Sequence, residues 1–196
     1  MRCNAAPTIR LTIAAAAIVA LTFFGCRTTR QTKYLHPNAD LGAISKVAIL
    51  PFDNLTGERT AADKVQKVFY LELLTLQVFE VTEPGQVTKT LRSSGVAATD
   101  ALGPADFQRI GKELGVDGVF LGSVVDYSDA HTGSTSTPEV TIDVRLIETQ
   151  TGSTIWSTSH TRAGAGVSTR LFGLGGESLT EATRGVVRRE LATLLK

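Results

Sequence analysis

Residues 47–57 read Val-Ala-Ile-Leu-Pro-Phe-Asp-Asn-Leu-Thr-Gly. The continuous apolar run Val47 to Leu50 has the character of a short strand buried on both faces. Pro51 and the stretch Asp53 to Gly57 then turn the chain, Gly57 serving the turn. Thr60 with Asp63 three residues on forms the pattern of a capping box. Behind it Val65, Val68, Phe69, Leu73 and Leu76 recur at helical spacing. A doubly buried strand that feeds an amphipathic helix is the start of an α/β domain.

Working outward, Val78, Phe79 and Val81 predict a second strand, closed by Pro84-Gly85, and a weak helix follows over 84–93. Pro104 opens a better helix, with Phe107, Ile110 and Leu114 on one face and Gly115 at its end. A third strand comprises Val119, Phe120, Leu121, Val124 and Val125, with Gly118 and Gly122 expected to let a helix pack closely. Residues 128–138, rich in Ser and Thr, read as a polar loop. Val140, Ile142, Val144 and Leu146 alternate with polar residues as a half-buried strand, and Thr151-Gly152 turns it into a partner at Ser153–Thr161. Ser178 and Glu181 cap a last helix, whose apolar side is Leu179, Ala182, Val186, Leu191 and Leu194. The expected order is β-α-β-α-α-β-β-β-α: an α/β class, single domain over 45–196, with a mixed five-stranded sheet flanked by about four helices. Its expected core includes Val47, Ile49, Phe69, Phe120, Val144, Trp156 and Leu191.

The N-terminus is of another kind. Arg2 and Arg10 precede Leu11 to Phe24, 14 residues without a charge, and Gly25-Cys26 follows. This is the layout of a secretory signal peptide over 1–25, and the run is short of the about 20 apolar residues that a membrane-spanning helix needs. Phe23-Phe-Gly-Cys26 resembles a bacterial lipobox, with Phe23 where leucine is usual. The resemblance implies lipidation at Cys26: a diacylglycerol on the thiol, cleavage before it, and an acyl chain of the palmitate kind on the new amine. More than one chain matters, because a single one binds membranes only marginally. Arg27 in place of aspartate after the cysteine implies, by the same resemblance, the outer membrane facing the periplasm.

Cysteine usage agrees. Cys3 lies in the discarded segment and Cys26 is consumed by lipid, leaving no disulfide and no thiolate metal site. Residues 26–44, polar and without apolar periodicity, read as a lipidated flexible tether. The formal net charge is +1, falling to −1 once Arg2 and Arg10 are removed, so no basic surplus exists to neutralise nucleic acid.

Three stretches together resemble the CsgG-like lipoproteins, a group with the penicillin-binding-protein activators and the TolB N-terminal domain. They are Val47 to Gly57, the Gly-Val-Asp-Gly-Val-Phe-Leu-Gly-Ser run at 115–123, and Val144 to Trp156, spanning about 45–161. The resemblance implies a mixed sheet flanked by helices and a role in assembly or regulation. The partners it implies are the bilayer, through acylated Cys26, and an envelope protein, either a secretion apparatus or a cell-wall synthase. The alternative it offers is a subunit of an outer-membrane secretion channel of the curli type, a homo-oligomer.

Catalytic signals are sparse, and no enzyme and no cofactor are expected. His36, His131 and His160 lie in separate segments without metal-ligand spacing. Asp53, Asp117, Asp126 and Asp143 are the carboxylates that could pair as acid and base, yet they read more simply as turn and surface residues. The Gly173-Leu-Gly-Gly176 run before the last helix lacks the lysine of a phosphate loop and reads as a linker. The longer segment 160–176 is expected to be a mobile loop that orders on docking, and not a membrane-crossing hairpin.

Overall fold

A computed structural model describes residues 29–96, 98–99, 101–132, 135–163 and 177–195. The signal peptide, Cys26 and the Gly173–Gly176 run lie outside these residues. The described elements are β1 (Thr29–Leu35), a 3-10 turn (Leu41–Ala43), β2 (Lys46–Ile49), β3 (Asp53–Asn54), α1 (Ala61–Leu76), β4 (Glu80–Val81), α2 (Pro84–Ser93), α3 (Pro104–Leu114), β5 (Gly118–Thr132), β6 (Thr135–Glu148), β7 (Ser153–Ala163) and α4 (Leu179–Leu194). The strands form one mixed sheet in the order β1-β7-β6-β5-β2-β4, with β3 also pairing β5. Pairing is parallel for β2 with β4 and β5 and for β3 with β5, and antiparallel from β5 through β6 and β7 to β1.

The expected α/β class and helix positions hold; the strand count does not, because the sheet has seven strands where five were expected. Of the two additions, β3 is only two residues long. The other corrects the tether: Thr29–Leu35 pairs along its whole length with β7, from Thr29↔Arg162 to Leu35↔Trp156. A polar strand at a sheet edge needs no apolar alternation, since its backbone ladder and one partner supply the pairing. The loop expected at 128–138 is likewise paired, from Ser128↔Glu139 to Thr132↔Thr135, and prolongs β5 and β6 into a long hairpin. There, as in β1, the backbone ladder with one partner supplies the pairing. The segment expected to be a loop from 160 begins as strand, β7 continuing to Ala163; its remainder, 164–176, lies outside the described residues.

Helices cover both faces. Val47 and Ile49 pack on α1 and α4, with Val65, Phe69, Leu73, Val186 and Leu191 in the larger core. Ala48 and Leu50 point the other way, to Val87 and Leu91 of α2 and Phe107, Ile110 and Leu114 of α3. One strand of four residues therefore joins two cores, as an unbroken apolar run requires. In the larger core Phe120 stands edge-on to Phe69 at 5.4 Å, to Phe79 at 6.1 Å and to Trp156 at 6.3 Å. Such geometry adds about 0.5–1.5 kcal/mol per pair beyond area burial. All of the expected core residues are buried, Ile49 being the most exposed at 4%.

Local signals explain the boundaries. Ser178 Oγ accepts from Glu181 N and the Glu181 carboxylate accepts from Ser178 N, closing the expected capping box. The box expected at Thr60 is absent: its hydroxyl donates instead to the Glu58 carboxylate at 2.5 Å. The turn before it is built by Asn54, whose Oδ1 accepts from Thr56 N and whose amide donates to the Glu58 carbonyl, rather than by Gly57. Gly115 ends α3 at φ 64° and Gly152 makes the β6–β7 turn at φ 72°, conformations that favour glycine. Gly122 accommodates no helix; it makes room for the Phe52 ring, which lies 2.5 Å from where a Cβ would stand.

Candidate functional site

Register brings two of the four candidate aspartates into one row. Asp53 of β3 lies beside Ser123 of β5, which lies beside Asp143 of β6. Two strand spacings separate the aspartates, about 10 Å between Cα atoms. The row lines an open cleft of about 540 Å³ together with Arg145 and Ser157. Thr99 Oγ1 donates to Asp53 Oδ1 at 2.8 Å, which ties that carboxylate to Thr99. One oxygen of Asp143 is buried without a hydrogen-bond partner. The cleft can take a polar group by hydrogen bonding.

The other two aspartates are placed elsewhere. Asp117 Oδ2 accepts from Ser45 N at 3.0 Å and Lys46 N at 2.9 Å, pinning the start of β2 to that of β5. Asp126 is exposed beside a β-bulge. Among the described residues no group of three or more His, Cys, Asp and Glu side chains is arranged to hold a metal ion. His36 lies in the loop after β1, where its Nδ1 accepts from Asn38 N. His160 is buried at 1% exposure, on the face of β7 that α4 covers.

α4, which packs on β7, carries Glu190, which is wholly buried. Among the described residues neither carboxyl oxygen of Glu190 and neither ring nitrogen of His160 has a hydrogen-bond partner. Two contacts tie α4 to β7. Arg162 packs against Gly185 at one end, and Trp156 Nε1 donates to Thr193 Oγ1 at the other. Burial, then the negative charge of Asp143, pushes the Glu190 carboxyl well above its ordinary 4.5. Burial, then the positive charges of Arg189 and Arg162, holds His160 below its ordinary 6.5. Burial thus favours the neutral form of both side chains inside the fold.

The outer surface offers an apolar groove of about 550 Å³ between α1 and α2, lined by Ile49, Pro51, Tyr70, Leu71 and Val87 among others. Leu71 is 60% exposed on its rim and Leu74 continues it along α1. A groove of this kind is a surface on which a protein segment can lay an apolar face. Among the described residues no helix is long and apolar enough to cross a membrane.

Comparison with known proteins gives these features a setting. A family profile described as GNA1162-like, a lipoprotein family, matches residues 46–189. No curated protein matches the chain in sequence. Among solved structures the chain is similar to PelC of Paraburkholderia phytofirmans, crystallised as a dodecamer. That likeness has 16% identity and a TM-score of 0.58, and covers 85% of this chain and 97% of that one. Lipoprotein GNA1162 from Neisseria meningitidis is similar at 16% identity and a TM-score of 0.54, over 76% of this chain and 99% of that one. The C-terminal domain of Escherichia coli LpoB aligns at 20% identity over 65% of this chain and 90% of that one, with a TM-score of 0.47. The lipoprotein resemblance thus holds at the level of the GNA1162-like family, and the narrower CsgG-like grouping has no specific support.

Proposed function

We propose that this chain, which belongs to the GNA1162-like lipoprotein family, is a lipid-anchored, periplasm-facing module of the outer membrane that binds or regulates an envelope assembly and performs no catalysis. The observation that carries this reading is the start of β1. The first described residue, Thr29, already lies in β1, three residues after Cys26. Acylation of Cys26 would hold the domain itself against the bilayer, with almost no tether between them. The apolar groove between α1 and α2 is the face we assign to a protein partner, either a secretion apparatus or a cell-wall synthase. PelC, of similar fold, is crystallised as a dodecamer; self-association of this chain is part of the same proposal.

A curli-type channel finds less support. Among the described residues, the paired residues of β5 beyond the last β7 row are the four from Asp129 to Thr132. A membrane-crossing β-strand needs about 9–11. The test is the chemical state of the mature N-terminus. Mass spectrometry should find it at acylated Cys26, and Cys26→Ser should move the domain from the membrane fraction to the periplasmic one. An unmodified Cys26, or a Cys26→Ser chain still sedimenting with membranes, refutes the anchoring.

A further inference from the structure

We infer that a second copy of this chain fills the apolar groove between α1 and α2 with the outer edge of its β1, so that copies join head to tail. The inference rests on the self-association proposed above, and it sets a neighbouring copy and the envelope partner in competition for one face. The groove opens where the edge of the sheet is incomplete. β4 is the edge strand beside β2, and their pairing ends at Val47↔Val81 although β2 runs on to Ile49. Glu80 N donates to Ser45 O at 2.8 Å and Thr82 N to Val47 O at 2.9 Å. The next donor in that series would be residue 84, for the Ile49 carbonyl, and Pro84 has no N–H. β4 therefore stops, and the groove lies beyond its end with Ile49 and Pro51 in its lining. Thr82 lines it as well; it is 5% exposed, and among the described residues its hydroxyl has no hydrogen-bond partner. A carbonyl that β4 leaves without a donor and a buried, unpaired hydroxyl are groups that an incoming backbone can satisfy.

The opposite edge of the sheet supplies that backbone. Among the described residues β1 pairs on one side only, with β7. His36 N donates to Ile155 O, so by alternation the backbone groups of Leu35 and Lys33 point away from β7. Tyr34 and Leu35, at the end of β1, are exposed, as are Leu71 and Leu74 along the groove's α1 wall. Each edge thus pairs open backbone groups with uncovered apolar side chains, the combination through which sheets associate.

Register sets the two edges at one height. Leu35 pairs with Trp156, Trp156 with Leu146, Leu146 with Phe120 and Phe120 with Ile49, one row across five strands. A neighbour displaced sideways along this row brings its Leu35 level with Ile49, just past the end of β4. Its β1 then runs antiparallel to β2, because three antiparallel pairings lead from β1 to β5 and β5 is parallel to β2. In that orientation the Leu35 N–H faces the Ile49 carbonyl. Lys33, two residues back along β1, comes level with Pro51. Charge agrees with this placement. Lys33 is exposed and forms no ion pair among the described residues. The groove carries Asp63 against Lys67, and exposed Glu83 adds a second negative charge at the start of α2. Contact between two unlike edges repeats from copy to copy, and closes into a ring where the rotation between copies permits.

The experiment uses the whole mature chain carrying Cys26→Ser, which has no other cysteine. Sedimentation velocity reads the assembly. Leu71→Asp in the groove and Lys33→Glu on β1 should each weaken it by about tenfold or more, as a desolvated or repelling charge at a covered position does. Asp63→Lys should restore assembly to the Lys33→Glu chain, and Lys112→Glu on α3 should leave it unchanged. All of these positions are exposed, so circular dichroism should match the parent's. A mixture of Tyr34→Cys and Leu71→Cys chains should give disulfide-linked pairs of one with the other on oxidation. An oligomer that neither Leu71→Asp nor Lys33→Glu weakens, or cross-links only between two Tyr34→Cys chains, overturns this interface alone. A parent that stays monomeric at about 100 μM, a concentration at which even a micromolar contact is filled, overturns the self-association and this inference together.

Discussion

Glu190 lies inside the core with both carboxyl oxygens unpaired, and its pKa is raised well above 4.5 by burial and then by Asp143. Between 4.5 and that raised value the folded domain holds a proton that the unfolded chain has lost. Folding takes up a proton in that window, so stability is complete below about pH 4.5 and declines as pH rises toward the folded value. The limiting slope for one proton is about 1.4 kcal/mol per pH unit. His160 acts with the opposite sign. Its pKa is lowered from 6.5 by burial, then by Arg189 and Arg162, so its stabilising contribution is present above about pH 6.5 and is lost as pH falls through the folded value. Where the two windows overlap, above about 4.5 and below about 6.5, the slopes oppose each other. The Glu190 slope ends only at its folded pKa.

Glu190→Gln keeps the shape and removes the titration. The assay is urea unfolding of the signal-free Cys26→Ser chain at a series of pH values from about 4.5 upward, for the parent and the variant. Every other titrating group is common to both, so the difference between the two curves isolates Glu190. The parent should lose stability relative to the variant as pH rises above about 4.5, at no more than about 1.4 kcal/mol per pH unit. His160→Gln should leave this difference in place and flatten the limb below about pH 6.5 instead. Parallel curves for parent and Glu190→Gln throughout the series would refute the reasoning, because they would show a carboxyl that titrates alike in the folded and unfolded chain.

Three further outcomes follow from the packing. Gly122→Ala would put a Cβ 2.5 Å from the Phe52 ring, which is itself packed on Phe69; thermal unfolding should show a loss of about 1–3 kcal/mol, while Gly57→Ala, with open space around it, should change little. Ser178→Ala removes the acceptor for Glu181 N and should cost about 1 kcal/mol in urea unfolding. Leu191→Ala empties a site only 1% exposed and should destabilise the whole domain by about 2–5 kcal/mol; a midpoint equal to the parent's would mean that α4 is not part of the core.

What was legible in the sequence is what local chemistry decides. Val47 to Leu50 read as doubly buried because each residue type faces a core whichever way it points, and Ala48 and Leu50 do face the second one. Ser178 and Glu181 read as a cap because that interaction closes within four residues. Thr60 and Asp63 have nearly the same spelling and do not cap: the Thr60 hydroxyl is turned to donate to Glu58, and its oxygen accepts from no N–H of the first turn. What was not legible is pairing without burial. β1 and the hairpin end at 128–138 are polar strands that exist because a partner strand satisfies their backbone. Composition calls such stretches tether and loop, for the backbone ladder leaves no mark in side-chain hydropathy.

The candidate site divides along the same line. Asp53 and Asp143 were visible as residues, but their row depends on two registers, β3 on β5 and β5 on β6, that join segments 70 and 20 residues apart. Glu190 was visible by its period: Val186, Glu190 and Leu194 recur every four residues, which places the glutamate on the buried stripe of α4. His160 follows Trp156 and Thr158 at intervals of two, which places it on the core face of β7. Each position could be read alone, but the seating of α4 on β7 could not. It has one particular offset, held by glycine at 185, where the Arg162 side chain occupies the space a Cβ would need. Arg162 is in turn ion-paired to Glu177 at 2.6 Å, one residue before the Ser178 cap. The helix start, the offset and the burial of Glu190 on α4 are therefore one arrangement. A larger residue at 185 would have to displace the Arg162–Glu177 pair or shift α4 along β7, and with it the buried Glu190.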